Sequence, residues 1–205
     1  MKNKLLLAKY FSHYTTDNNT AEYIFVLCGF FIFGNGAMFC VFSIGSKELA
    51  ESLFTALSEH YNTTFFNGEK LAAKGTGKKI LLISTKKPIS AAQPYIAVFS
   101  RNYKGNILTF PENSISIVSS DNKQLLCRLS KTKSRVVTCG MCAKDTITCT
   151  SIIENRAVIA TQRCLTDISG GCHMPSESPF IIRDNTDIYD QMAACALLTI
   201  LGVNI

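Results

Sequence analysis

Cys139-Gly140-Met141-Cys142 has the spacing with which two thiolates grip one zinc ion, and Cys164, Cys172 and His173 follow as residues able to complete a tetrahedral set. A single pair of this kind, with no second pair and no His-x-x-x-His, is a weak signal. Buried strand thiols are therefore the expected role of Cys139 and Cys142, and zinc the lesser one. Gly75-Thr76-Gly77-Lys78-Lys79 carries the glycine and lysine of a phosphate-wrapping loop, but Lys79 stands where magnesium needs a hydroxyl and Ala72 stands where the first glycine belongs. An ordinary turn is the better reading. His13, His60 and His173 sit in no Gly-x-Ser-x-Gly or His-Glu-x-x-His context. With no nucleophile and base in view, the chain is expected not to be an enzyme.

The elements that would position such groups must come from 205 residues of which 47% are hydrophobic, enough for one sizeable core. Lysine and arginine total 21 against 15 acids, a net +6 scattered from Lys2 to Arg183. That spread favours mild attraction to anionic surfaces, such as inner-leaflet lipid or nucleic acid, without choosing between them. Nine cysteines is an odd number, and the apolar run near Met1 stops after four residues, too short for an export signal; reduced thiols are expected. Asn18-Asn19-Thr20 and Asn62-Thr63-Thr64 then match the glycosylation triplet by chance.

Tyr23 to Ser46 carries no charge and is long enough for a membrane span. Its centre, Gly34-Asn35-Gly36, is a strong hairpin signal because a type I′ turn needs positive φ at both central residues. Two buried hairpin strands are preferred over a span. Leu49, Leu53 and Leu57 then recur four apart between Glu48, Glu51 and Glu59, which predicts a surface helix over 47–61 with Ser46 as its cap. Short strands are expected at Lys79 to Ser84, Tyr95 to Ser100, Asn106 to Phe110, Ser114 to Ser119, Leu125 to Leu129, Arg135 to Cys139, Thr146 to Ile152 and Ala157 to Ala160. Even spacing of strands and turns points to a barrel or sandwich. Gln191 to Val203 is apolar on every side, so it needs full burial, and at 1.5 Å per residue it reaches only roughly 20 Å, short of a ~30 Å bilayer core. Asp184, Asp187 and Asp190 lie at its positive N-terminal end, where carboxylates are favoured.

Strands followed by one acid-headed apolar helix is an order that resembles the phospholipid scramblase family, whose domain is related to the tubby-like fold. Lys78 to Pro88 looks like that family's basic, aliphatic strand, and Gly105-Asn106-Ile107-Leu108 with Ile115 to Val118 and Gln124 to Leu129 resembles its following hairpin. Val136 to Cys142, Thr146 to Cys149 and Val158 to Thr161 are similar to its cysteine-bearing strands. Asp187 to Leu198 looks like its closing helix, and Phe31 to Gly36 matches an early hairpin.

The resemblance implies a mainly β fold: a closed antiparallel β-barrel over 21–205 around a buried C-terminal helix (Met192, Cys195, Leu198, Leu201), with 1–20 a separate N-terminal segment. It implies a membrane-associated protein on the cytoplasmic face of the plasma membrane, promoting or regulating phospholipid movement between leaflets, with membrane phospholipids as partners. A lipid- or phosphoinositide-binding or interaction module on the same fold is the alternative. Calcium is the implied cofactor, but the acidic segment that would hold it is reduced to Glu177 and Asp184, a thin provision for an ion that wants several carboxylate oxygens.

Overall fold

The computed structural model describes residues 39–86, 93–107, 110–154, 156–182 and 186–204. Its elements run β1 (Phe39–Ile44), α1 (Lys47–His60), β2 (Asn62–Phe66), β3 (Leu71–Lys74), β4 (Lys79–Thr85), β5 (Ile96–Phe99), β6 (Ile115–Ser119), α2 (Lys123–Leu129), β7 (Arg135–Gly140), β8 (Ile147–Ile153), β9 (Arg156–Thr161), the two-residue β10 (Leu165–Thr166) and β11 (Cys172–His173), β12 (Ser176–Ile181) and α3 (Ile188–Ile200). Ten strands form one sheet in the order β12-β9-β8-β7-β6-β5-β1-β4-β2-β3. The seven strands from β2 to β8 in that order are mutually parallel. β3 closes one side antiparallel, and β9 and β12 close the other.

The sheet is open, with β12 and β3 at its two ends, so the expected closed antiparallel barrel is corrected. The reason lies in the strand sequences. A barrel strand with one wet face alternates, whereas Ile96–Phe99 and Ile115–Ser119 are buried at every position and residues 41–44 likewise. Continuous buried runs of this kind belong to parallel strands covered on both faces. One face packs α1 and α3 on Val41, Leu82, Val98, Ile117 and Val137. The other covers Phe42, Leu81, Ile83 and Ala97 with α2 and an aromatic group in which Tyr95 meets Phe42 at 4.9 Å and Phe110 at 5.6 Å.

Leu125 to Leu129, expected as a strand, is part of α2, and Ile107 and Phe110 lie in irregular chain rather than in the expected strand over 106–110. Most of 23–46 lies outside the described residues, as do 1–20. Its described end is β1, which has parallel β4 on one side and parallel β5 on the other and therefore no edge left for an antiparallel hairpin partner. No described helix is long and apolar enough to cross a membrane. The helix expected over 47–61 is α1, capped by Ser46 as its side chain accepts from Leu49 N at 3.2 Å. α3 begins three residues before the expected start, with Asp187 as its cap, and Met192, Cys195, Leu198 and Leu201 are all buried. It is enclosed not by a barrel but by α1, the sheet under β6 to β8, and the segment carrying Ile168, Phe180 and Ile182.

Candidate functional site

The chain passes from β1 to β2 and β4 on one side, then crosses to β5 and continues to β8 on the other. That reversal puts the switch point of the sheet at the C-terminal ends of β1 and β5, the place where open α/β sheets receive ligands. The strand ends there are held level: Gly45 N donates to Thr85 O at 2.9 Å and Ser100 N to Ile44 O at 2.8 Å. Gly45, at φ +107°, turns the chain straight into α1; a Cβ there would lie 2.4 Å from Ser100 Oγ. Ser46 caps the helix and its hydroxyl donates to Glu48 Oε2 at 2.6 Å. A carboxylate thus already sits on the first turn of α1.

α3 brings a second helix start to the same place. Asp187 accepts from Tyr189 N at 2.9 Å, and the buried Tyr189 hydroxyl donates to Phe99 O at 2.6 Å, pinning the helix to the end of β5. Arg101, just past β5, donates to Asp121 Oδ2 at 2.8 Å and has Asp187 Oδ2 at 3.8 Å. Asn122 caps α2 and donates to Tyr103 O at 2.8 Å, which fixes the loop carrying Arg101. Asp190 faces this group from the first turn of α3. Burial, then the charges of Asp187 and Glu48, push its carboxyl up to about 6, so its proton affinity lies close to neutrality. Asp190, with its proton affinity near neutrality and Arg101 close by at the rim beside Asp187, can accept a proton from a bound group.

A second polar group lies at the far end of the parallel strands. Asp167 Oδ1 accepts from Ser169 N, Ser169 Oγ and Gly171 N at 2.7–2.8 Å, and Oδ2 pairs with His173 Nε2 at 3.1 Å. The Ser169 hydroxyl and these backbone donors hold the Asp167 carboxyl down at about 2. The loop borders a cavity of about 540 Å³ beside Thr161, Ser176 and Thr199. With both oxygens taken up by the loop, Asp167 reads as the organiser of a turn.

Cys164 and Cys172 are placed against each other, which takes both sulfurs out of a zinc set shared with Cys139 and Cys142. Cys139 is buried in β7 against α3, where burial raises its thiol well above the ordinary value, away from the thiolate that zinc needs; Cys142 is exposed. Among the described residues no three metal-ligating side chains gather. Glu177 lies exposed on β12, and Asp184 is outside the described residues. Gly75 to Lys78 is a turn that leads into a strand, not the strand-to-helix turn a phosphate loop requires. Asp187 and Asp190 are visible in the sequence as acids at a helix start. Glu48 and Arg101 carry no such signal as site residues, because nothing local shows that β1 and β5 end side by side.

No protein-family model and no curated protein matches the chain. Solved structures do. The fold is similar to MurF from Acinetobacter baumannii (TM-score 0.50, 13% identity, 82% of this chain and 44% of that one). It is similar to MurF ligase from Thermotoga maritima in complex with ADP (0.51, 13%, 84% and 47%). It is also similar to the UDP-N-acetylmuramate:L-alanyl-gamma-D-glutamyl-meso-diaminopimelate ligase from Neisseria meningitides (0.51, 12%, 82% and 62%). The chain spans about half the length of these proteins, and at such identity the likeness establishes the fold alone. It replaces the scramblase and tubby-like resemblance, and with it the readings as a lipid-moving protein or a lipid-binding module on that barrel. The expectation of a non-enzyme finds no support in these neighbours, whose names are those of ligases.

Proposed function

We propose that this chain is a ligase-type α/β domain that holds an amine-bearing reactant, an amino acid or peptide, at the switch point between the ends of β1 and β5. The ligase class comes from the fold neighbours by analogy. The amine comes from the side chains: the observation that carries the reading is the buried Asp190 on the first turn of α3 at the switch point of the sheet, its ionisation opposed by burial and by the charges of Asp187 and Glu48. An ammonium bound there is neutralised by ionised carboxylates. Asp190, with a proton affinity near neutrality, takes up the proton that an amine must lose before it attacks an acyl group. The acyl group would arrive already activated, carrying its own leaving group, on a second component bound over the same edge, with Arg101 as the cation at that rim.

One fold neighbour was solved with ADP, but a nucleotide held by a phosphate loop does not suit this chain. Only Gly45 and Ser46 separate β1 from α1, too short a link to wrap phosphates, and Glu48 occupies the helix start an anion would use. Calcium and membrane phospholipids, implied only by the scramblase resemblance, have no part in this reading.

Ligand-detected NMR tests it. L-alaninamide should bind the intact protein at about pH 8 and lose binding in Asp190→Asn combined with Glu48→Gln, while ADP with magnesium should show no saturable binding. Saturable ADP binding in the micromolar range, or no binding of the amine, would overturn the proposal.

A further inference from the structure

α3 is apolar on nearly every side, yet three of its less apolar side chains fall in line. Gln191, Cys195 and Thr199 recur four apart along one stripe of the helix, while Ala193, Ala196, Leu197 and Ile200, all at 0% exposure, fall on the opposite side. The stripe faces two cavities that share the walls Phe180, Cys195 and Val203. Cys195 and Thr199 line the one of about 540 Å³. Gln191 and Cys195 line the other, of about 210 Å³, between α1 and α3. This smaller cavity runs from Gln191 to Leu198, roughly 10 Å of helix at 1.5 Å per residue, and on to Val203 past the helix end. Its volume equals roughly seven waters at ~30 Å³ each, so over that length it admits one unbranched chain. Its mouth lies at Glu59 and His60, which are exposed at the end of α1. Gln191 is 2% exposed, and neither its Oε1 nor its Nε2 has a hydrogen-bond partner. A carboxamide left unsatisfied inside a protein is a standing cost that a leucine of similar size would not carry.

We infer that this cavity is a binding site for a small, uncharged, straight-chain primary amide, its head paired with the carboxamide of Gln191 and its chain lying along Ala194 and Leu198 toward Val203. Two carboxamides complement each other: each offers an N–H donor beside a carbonyl acceptor, so one pair of hydrogen bonds satisfies both atoms that Gln191 leaves unpaired. A ketone returns the acceptor alone. A carboxylate returns no donor and would bury its charge among Ala56, Phe180 and Leu198. Those same apolar walls select an aliphatic chain over a polar one. None of Glu48, Asp187 and Asp190 lines this cavity, so the site goes beyond the amine reading and stands without it.

Titration of the full chain with acetamide, hexanamide and 2-heptanone, followed by NMR, tests the site. Hexanamide should bind saturably and at least roughly tenfold more tightly than acetamide, since each buried methylene adds about a three- to fourfold gain. 2-Heptanone matches hexanamide in length but offers no donor. In Gln191→Leu the ratio of hexanamide affinity to 2-heptanone affinity should fall at least roughly tenfold, because the amide then buries its head unpaired. Gln191→Met serves as the second variant if leucine packs poorly, and cooperative melting identifies the variant that has folded. Hexanamide that fails to saturate, a chain-length gain that is absent, or an amide-to-ketone ratio that the substitution leaves unchanged overturns the inference.

Discussion

Asp190 binds its proton more tightly in the folded chain than in the unfolded one, and the sign of that difference fixes a measurable pH dependence. Its carboxyl titrates at about 6 when folded, against 3.8 as the ordinary value, because burial and the neighbouring charges of Asp187 and Glu48 oppose ionisation. Between these values the folded state carries the extra proton, so stability falls as pH rises through the window. Chemical denaturation should show the protein less stable at about pH 8 than at about pH 5, and Asp190→Asn should recover roughly 1–2 kcal/mol at the higher pH, a figure reduced for solvent screening at the strand ends. No gain at the higher pH would mean that the carboxylate is compensated. Asp167 works in the opposite direction. Held at about 2 by the Ser169 hydroxyl and its loop donors, it contributes stability above the ordinary carboxylate value, which is lost as pH falls toward 2. Asp167→Asn should therefore remove part of the acid-side loss, read as a flatter stability profile below about pH 4. Of the acids at the switch point, two were legible in the sequence through helix-dipole reasoning. The third could not be, since Glu48 joins them only through the packing of the first helix against the last.

At the scale of elements, the first and last helices were legible, while α2 was read as a strand and the direction of the sheet's strands was not visible. The leucines of α1 recur at helical spacing with a serine cap before them, and those two local signals need no partner to be read. Replacing Ser46 with alanine should cost about 1 kcal/mol in chemical denaturation, because Leu49 N loses its acceptor at the helix start. Strand positions were largely visible, but strand direction was not, because direction depends on which strands come to lie side by side. The undivided burial of β5 and β6 was the available sign of a parallel sheet, and evenly spaced turns competed with it in favour of a barrel. The sequence from Gly75 to Lys79, with its partial likeness to a phosphate loop, has a structural use instead. Gly75 adopts φ +87° where the turn into β4 passes under the end of α1, and a Cβ there would stand 2.0 Å from Tyr61 O. Gly75→Ala should destabilise by about 2–4 kcal/mol through backbone displacement, whereas Gly77→Ala, at φ +89° with its nearest atom 3.8 Å away, should cost only roughly 1–2 kcal/mol. Equal effects at the two glycines would remove the close approach as the cause.

For the molecule as a whole, the last helix is the piece that makes one body of the rest. α3 packs against α1, against β6 to β8 and against β10, and hydrogen bonds tie both of its ends: the Tyr189 hydroxyl to Phe99 O at the switch point, and the Tyr61 hydroxyl to Leu201 O at 2.8 Å at the far end. Nearly every residue along it is buried, including Ala193, Ala196, Leu197 and Ile200 at 0% exposure, so its removal would uncover much of one face of the parallel sheet. The apolar character of this helix was plain in the sequence; what it packs against was not, because an all-round apolar helix fits a barrel lumen and an α/β layer equally well. The α/β setting makes a definite demand when the helix is lost. A parallel sheet with a bare face has no cooperative folded state, since the strands that α3 covers are buried on both sides and cannot face water. Ending the chain after Asp187 should therefore abolish the cooperative unfolding transition and the near-ultraviolet circular dichroism of the tyrosines while leaving some secondary structure. Leu197→Ala should lower stability by about 2–5 kcal/mol with the transition still cooperative. A truncated chain that still unfolds sharply would place the core elsewhere and detach the acids of α3 from the fold that positions them.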